Sequence, residues 1–511
     1  MSRVKKTLLN AKVNLFFYFA STLVAFFTRK IFLTYLGDEF IGLTGTLNSI
    51  LGFLNLAELG VGTAVGYALY KPIYNKDKEE INRIVSLLGY IYKRIGALIV
   101  ILAIITSTFF FLIFKDTDFS LALVYYCFFS FLFSSLLGYF INYHQSLLQA
   151  DQKGYLTAGY LQSTNLVRQL LQAYIAYKTQ DPFLWVTLEI LFTIIYSVII
   201  RTVIKRTYPW LNIKGKKLKN GVKEYPLIIN KIKQVFVHKI SSFVTFGTDQ
   251  ILIFSLVNIE SVAFVGNYNL IITAMDKSIQ NLFGGIVASI GNLTAEGNKK
   301  LINSVFWEIM TLRFFIAGFV IINLFFFLNP LIELWLGEKY ILGSWVFILL
   351  LANLAIKIIR ATVDNYISAM GLFDDTWAPI AQMSINLVFS ILFGFYYGIA
   401  GILFGTTISS FTIIILWKPH FLFKKGFGLN TTRYYWVKFG KLSLCFSFTF
   451  LIVYLIHEYF LTFFEVSNYT NLLMKALLIS VLVLIVYIPI LFFSIKETKL
   501  LFDRVLSKIK K

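Results

Sequence analysis

Long apolar runs recur from one end of the chain to the other, separated by short polar breaks. Many of them approach the ~20 residues that a helix needs to cross ~30 Å of hydrocarbon. About fourteen such runs are legible, at residues 14–36, 41–70, 84–114, 121–148, 156–177, 183–203, 235–257, 262–290, 305–328, 342–370, 377–397, 399–417, 442–464 and 472–493. Several are longer than one crossing requires, which predicts tilted helices or helices that continue past the bilayer. The pattern predicts an all-α polytopic membrane protein of about fourteen transmembrane helices.

The polar breaks separate by charge. If the N-terminus is cytoplasmic, that side collects Arg3, Lys5, Lys6 and Lys12, then Lys71, Lys76, Lys78 and Arg83. It also collects the segment from Lys205 to Lys233, Lys299 and Lys300, Lys418, Lys424, Lys425 and Arg433, and the tail from Lys496 to Lys511. The opposite side receives the short breaks GDEF at 37–40, KDTD at 115–118, QDP at 180–182, NIES at 258–261, LGEKY at 336–340 and VSNYT at 466–470. Basic residues gather on the cytoplasmic side of membrane proteins. The pattern therefore places both termini in the cytoplasm.

Two lobes are expected. The longest cytoplasmic break carries Pro, Gly and a lysine cluster, the composition of a linker. The expected limits are an N-terminal lobe at 1–211 (spans one to six), a basic linker at 212–234, a C-terminal lobe at 235–425 (spans seven to twelve), and spans thirteen and fourteen with a basic tail at 426–511. A short internal repeat supports this division. LLQADQKGY leads to YLQSTNLV, ending at Asn165, Leu166 and Val167; YISAMGLFDDTW leads to IAQMSINLV, ending at Asn386, Leu387 and Val388, with a gap of two residues. The copies fall six spans apart, and an even offset preserves orientation. The lobes are thus expected to be related by a pseudo-twofold along the membrane normal, with the substrate site between them.

Composition narrows the class. The 511 residues are 58% hydrophobic and 18% aromatic, with a formal net charge of +21. The mean hydropathy is +0.73. A soluble nucleic-acid binder is basic too, but it does not bury its length in apolar helix; no nucleic-acid partner is expected. Cys127 and Cys445 lie in apolar runs and read as small buried side chains. His144, His238, His420 and His457 show no metal spacing. No metal, cofactor or catalytic residue is expected. The first apolar run continues for a full span without a small-residue cleavage site, so it reads as a helix and not a signal peptide.

Most basic residues are accounted for by topology. Six are not. Arg29 and Lys30 lie in the outer half of the first span, Arg168 near the middle of the fifth, Lys277 in the eighth, and Lys357 and Arg360 in the tenth. A cation at the bilayer centre costs at least about 2.5–3.5 kcal/mol, so such residues face a bundle interior or a watery cavity. An anion-binding lumen is one reading: Arg offers a planar fork to phosphate and Lys a point charge. Simpler readings compete. Arg29 and Lys30 can snorkel to headgroups, Lys277 can pair with neighbouring Asp276 or another carboxylate, and Arg360 can pair with Asp364. Lys357, Arg360 and Asp364 share one helix face. Four carboxylates, Glu58, Asp249, Asp276 and Asp364, are candidates for coupling-ion binding or for balancing these cations; Glu189 and Glu308 are similar but nearer span ends. Gly60, Gly62 and Gly66 permit close helix approach in the second span. Trp335, Trp377 and Trp417 suit an interfacial belt, and the lysines of the linker suit anionic lipid headgroups.

Three stretches carry a resemblance. TRKIFLTYLGDEFIGLTGTLNSILGFLNLAELGVGTAVGYALYKPI, TDQILIFSLVNIESVAFVGNYN and RATVDNYISAMGLFDDTW resemble the first two spans, the entry to the second lobe, and the tenth span of bacterial polysaccharide (O-antigen type) flippases. These are the polysaccharide-transporter branch of the multidrug/oligosaccharidyl-lipid/polysaccharide exporter superfamily. The resemblance implies two six-helix lobes plus two C-terminal helices, and alternating access in the cytoplasmic membrane of a bacterium. Its implied cargo is an undecaprenyl-diphosphate-linked oligosaccharide, with polysaccharide polymerase or assembly machinery as partners. A cationic cavity would receive the diphosphate, and by position Arg29, Arg168, Lys277 and Arg360 would line it. A lipid II flippase shares this logic. A drug/cation antiporter of the same superfamily favours an acidic cavity, opposite to the charge seen here. A membrane glycosyltransferase or polymerase needs a sizeable outer loop or a metal carboxylate motif, and neither is present, so no enzyme is expected.

Overall fold

The structure is a computed structural model. It describes residues 3–58, 61–115, 117, 119–212, 240, 241, 244, 245, 247–283, 286–295, 297–372, 374–428, 432–461 and 466–500. The lysine-rich linker from 213 to 234, Gly60 and the tail from 501 lie outside the described residues.

The chain is all-α: no strand occurs among the described residues. Nine helices among them are long and apolar enough to cross a membrane. The helices that carry the fold are α1 (Arg3–Leu36), α2 (Asp38–Leu54), α3 (Val61–Asn75), α4 (Lys78–Ser107), α5 (Leu121–Phe140), α6 (Gly154–Thr179), α7 (Pro182–Thr207) and α8 (Asp249–Leu256). Then come α9 (Ile259–Leu282), α10 (Ile286–Ala295), α11 (Lys299–Leu336), α12 (Ser344–Ala369), α13 (Trp377–Ser409), α14 (Arg433–Ile456) and α15 (Tyr469–Ser494). Several of their starts are chemically marked. The Asp77 side chain accepts from Glu80 N before α4, Ser120 from Leu123 N before α5, and Asp181 from Phe183 N before α7, where Pro182 takes the first helical position. Each cap satisfies an amide that has no intrahelical partner.

Contacts divide the chain into two compact units, Met1–Ala263 and Phe264–Lys511. In the first, α1 lies along α6, and α7 packs against both α5 and α6. α2 closes on α8 and the first turn of α9. A Cβ on Gly42 would sit 2.0 Å from the Ile259 carbonyl oxygen, and Ser49 Oγ donates to Gln250 Oε1 at 2.8 Å. In the second, α11 is the axis around which α12, α14 and α15 pack. Its 38 residues make it about 57 Å long, so it exceeds the hydrocarbon thickness. Its aromatic end, with Phe306 and Trp307, is sealed by Phe423, Phe427 and Tyr435.

Two expected spans are interrupted. The second is α2, a 3-10 turn at Asn55–Glu58, then α3. The fourth is α5, a 3-10 turn at Asn142–His144, then a short helix at Gln145–Ala150. The eleventh and twelfth are a hairpin. α13 turns back at Gly398, whose φ of 56° and ψ of −134° are not helical. Asn386 Nδ2 donates to Thr406 Oγ1 at 3.0 Å, and Ser390 Oγ to the Ile402 carbonyl at 2.9 Å. The arms approach closely at Gly405, where a Cβ would lie 2.3 Å from Ser390 N. Past Ser409 the second arm continues in π-helical turns to Trp417.

The internal repeat is also a repeat of conformation. Gln152 and Gly371, aligned by the two-residue gap, have φ of 58° and 67°. Gln152 N bonds the Gln149 carbonyl and Lys153 N the Leu148 carbonyl, at 3.1 and 2.7 Å. Gly371 N bonds the Ser368 carbonyl and Leu372 N the Ile367 carbonyl, at 3.3 and 3.0 Å. Both are Schellman turns with a left-handed residue that ends the helix.

Cys127 and Cys445 are free and buried, as expected. Trp335 departs from the expected interfacial belt: it is 2% exposed, inside the second unit. Trp377 is exposed and meets Trp417 edge to face at 4.6 Å.

Candidate functional site

Two polar clusters lie within apolar helices, one in each unit. The first surrounds Arg168. It lies within two residues of the midpoint of α6, the depth that the hydropathy pattern implies. No carboxylate lies within a turn of it along the helix, but α6 turns at Gln180, φ 53°, and α7 runs back beside it. That return brings Glu189 into an ion pair with Arg168. The pair stands on the wall of a cavity of about 360 Å³, with Thr44, Asn48, Ser134, Gln169 and Gln172 as polar lining. Trp185 forms an apolar wall, edge to face with Phe32 and Phe40. Gln172 Nε2 donates to the Trp185 carbonyl at 3.0 Å, tying α6 to α7 behind the ion pair. Arg168 Nε and Gln169 Oε1 are buried without a protein partner. Buried polar atoms are rarely left so. A cavity lined by a guanidinium, a carboxylate and five uncharged polar side chains is suited to a polar guest.

The second cluster lies in the second unit, around α12. Lys357 stands at the helix midpoint, and its Nζ is 2.8 Å from Asp276 Oδ2 on α9. Gln280 Nε2 donates to the same oxygen at 2.9 Å. One turn further along α12, Arg360 Nε lies 3.3 Å from Asp364 Oδ2, and Lys418 Nζ 3.9 Å from Asp364 Oδ1. Arg313 of α11 is 3% exposed, with its guanidinium 3.9 Å above the Phe283 ring centroid. Lys357, Arg360 and Lys418 thus meet the carboxylates Asp276 and Asp364 within apolar helices. Charges so placed are costly unless paired.

The geometry sorts the sequence candidates. Asp276 pairs with Lys357 and not with its neighbour Lys277, because adjacent helical residues point ~100° apart; Lys277 is exposed on α9. Arg360 and Asp364 do pair. Arg29 Nη2 donates to the Ala263 carbonyl at 3.0 Å, so it is tied to the start of α9 and not free to snorkel. Lys30 is exposed on α1. Asp249 opens α8 and is half-buried. Glu58 is bonded by the Tyr92 hydroxyl at 2.7 Å, a phenol and not a cation. Arg313 and Lys418 are absent from the sequence candidates because both sit where topology alone explains a basic residue. No group of three or more His, Cys, Asp or Glu side chains placed to hold a metal occurs among the described residues.

No family model matches the sequence, and no curated protein matches it. Solved structures do. The chain is similar to the lipid II flippase MurJ in an inward-closed conformation, with a TM-score of 0.63 and 17% identity over 93% of this chain and 98% of that one. It is also similar to an inward-facing multidrug resistance MATE family transporter of the MOP superfamily, with a TM-score of 0.61 and 14% identity over 80% of this chain and 97% of that one. An outward-facing conformation of such a transporter matches at 0.53 and 15% identity, over 81% and 95%. At these identities the likeness shows the fold: the chain is an all-α multi-pass membrane protein of the architecture these transporters share.

Proposed function

We propose that the protein is a flippase, working by alternating access, that moves a diphosphate-linked lipid carrying an oligosaccharide across the bacterial cytoplasmic membrane. The observation that carries this reading is the set of basic side chains near the middle of apolar helices, Arg168 in the first unit and Lys357 and Arg360 in the second, a costly placement that a cargo-binding role accounts for. A diphosphate is an anion such side chains can bind, and its oxygens accept the bidentate fork of an arginine. The Arg168 cavity, with its amide lining and Trp185 wall, offers a second polar surface for hydroxyl-rich cargo. The residues proposed to meet the anion are Arg168, Lys357 and Arg360, with Arg29, Lys30 and Lys277 as secondary candidates.

The same charge argues against export of cationic drugs, which favours an acidic cavity. Undecaprenyl-diphosphate-linked repeat units and lipid II are both diphosphate-linked glycolipids, so the cluster suits either. The fold match to the lipid II flippase extends over 93% of the chain, leaving out too little to omit both α14 and α15. That supports lipid II as the second reading.

The test is reconstitution of the full chain in vesicles with fluorescent undecaprenyl-diphosphate oligosaccharide, read as probe that becomes accessible on the opposite leaflet. R360A and R168A, singly and together, should slow flipping at unchanged protein content. Wild-type rates in the double variant would sink the proposal. Complementation separates the cargoes: rescue of cells depleted of their lipid II flippase favours lipid II, and restored surface polysaccharide favours the repeat unit.

A further inference from the structure

The Arg168 cavity is built largely from pairs of side chains one helical turn apart. Thr44 and Asn48 come from α2, Arg168 and Gln172 from α6, and Trp185 and Glu189 from α7. Residues at i and i+4 share a helix face, so each of these helices turns one such face to the cavity. All three helices belong to the first unit. Trp185 is held edge to face against Phe32 and Phe40, with ring centroids 5.6 and 5.5 Å apart, which fixes the plane of its indole.

Two properties of the lining select its guest. Its fixed charges cancel, because its charged members, Arg168 and Glu189, pair with each other. Its hydrogen-bonding capacity is mixed. Thr44 Oγ1 donates to the Ile41 carbonyl at 3.0 Å, which uses its hydrogen and leaves its lone pairs. Asn48 Nδ2 donates to the Thr44 carbonyl at 2.8 Å, which engages the amide nitrogen and leaves the amide oxygen as an acceptor. Arg168 supplies the donors: a guanidinium has five N–H groups, more than one carboxylate can take. An ionised phosphate offers acceptors alone, and inside the cavity it has no proton to give the oxygens of Thr44, Asn48 and Glu189. A hydroxyl both donates and accepts. The cavity, about 360 Å³, is at the small end of ligand sites, which span about 300–1,000 Å³. That is room for one sugar ring and not for a chain of them.

We propose that this cavity is a subsite for a single uncharged sugar ring. Thr44, Asn48 and Glu189 accept from its hydroxyls, Arg168 donates to them, and Trp185 packs against a C–H face of the ring. A pyranose carries C–H groups on its faces and hydroxyls round its rim, so it meets an aromatic wall and polar side chains together. The subsite rests on the oligosaccharide-bearing cargo proposed above and adds which part of that cargo enters the first unit. Arg168 can serve a ring hydroxyl and an adjoining phosphate oxygen together, because its donors fan out in one plane.

The test is thiol protection on the purified full-length chain in detergent, where no transport occurs. Cys127 and Cys445 are replaced by alanine, and Asn48→Cys places one thiol at an exposed position of the lining. Labelling by N-ethylmaleimide is timed with methyl glucoside, methyl N-acetylglucosaminide, mannitol or inorganic pyrophosphate, at matched ionic strength. A free ring makes few contacts, so a dissociation constant of about 10 mM is expected. At about 100 mM, at least one methyl glycoside should then slow labelling about tenfold. Mannitol, an open chain, and pyrophosphate should not. Glu189→Gln in the same background should weaken protection by the sugar and create protection by pyrophosphate, because Arg168 loses its counter-charge. Should Asn48→Cys fail to fold or to label, Ser134→Cys carries the thiol. Labelling unaffected by both glycosides, equal protection by mannitol or pyrophosphate, or an unaltered pattern in Glu189→Gln would overturn the subsite. The vesicle assay keeps the two proposals apart: flipping without protection removes the subsite alone, and protection without flipping leaves a sugar site in a protein that is not a flippase.

Discussion

Lys357 and Asp276, on different helices of the second unit, form an ion pair 2.8 Å long, and a carbon chain of four methylenes reaches across the gap between α12 and α9 to make it. The carboxylate is almost fully buried and the lysine is 39% exposed. Asp276→Asn leaves the lysine without its counter-charge, and the partial exposure limits the loss to about 1–2 kcal/mol. The exchanged pair Asp276→Lys with Lys357→Asp should recover most of that stability. Flipping should not recover, because the positive charge then stands on α9. Thermal unfolding in detergent and the vesicle assay together read both effects.

Arg168 and Glu189 give a prediction about chemistry more than charge. Arg168→Lys keeps the charge, reaches the carboxylate with one point contact, and loses the fork. It should fold near wild-type stability and still lose about tenfold in flipping rate, equivalent to one good hydrogen bond to a charged group. Equal rates for Lys and Arg would show that the fork is not used.

The repeated turn predicts opposite signs at equivalent positions. Gln152 is strained by a left-handed conformation that glycine adopts freely, whereas Gly371 already has it. Gln152→Gly should stabilise the protein by up to about 1 kcal/mol and Gly371→Ala should destabilise it by about the same amount. Melting temperatures of the two variants should move in opposite directions.

Gly405 tests the hairpin of α13. A Cβ there lies 2.3 Å from the Ser390 backbone nitrogen, which cannot rotate aside as a side chain can. Gly405→Val should lower the yield of folded protein sharply, and Gly405→Ala by less. Normal yield of the valine variant, measured by size-exclusion profile, would contradict the close packing of the two arms.

Ser49 and Gln250 predict proximity in the membrane. Their side-chain oxygens are 2.8 Å apart, so Ser49→Cys with Gln250→Cys should cross-link with a short bifunctional reagent in native membranes. The cross-link should also stop flipping if α2 must leave α8 during the cycle. Absence of any cross-linked product would mean that this seam is open most of the time.

The sequence by itself determined the class of the protein. Apolar runs of membrane-crossing length leave the backbone no option but helix, since hydrocarbon offers no hydrogen bonds to anything else. It also marked the turn at Gly398, the break in the apolar run that splits α13 into two spans, and the positions of Arg168, Lys357 and Arg360. The i, i+4 pair of Arg360 and Asp364 was legible because helix geometry is local. What only the tertiary structure decided is who meets whom across helices. Glu189 answers Arg168 because α7 folds back on α6, and Lys357 takes Asp276 from Lys277 because adjacent residues on a helix face apart. Arg313 and Lys418 joined the cluster from helix positions where a basic residue needs no special explanation. Glu58, expected to couple an ion or balance a cation, met the phenol of Tyr92. A hydropathy profile records how polar each position is, but the partner that satisfies a buried charge is fixed by packing between distant segments.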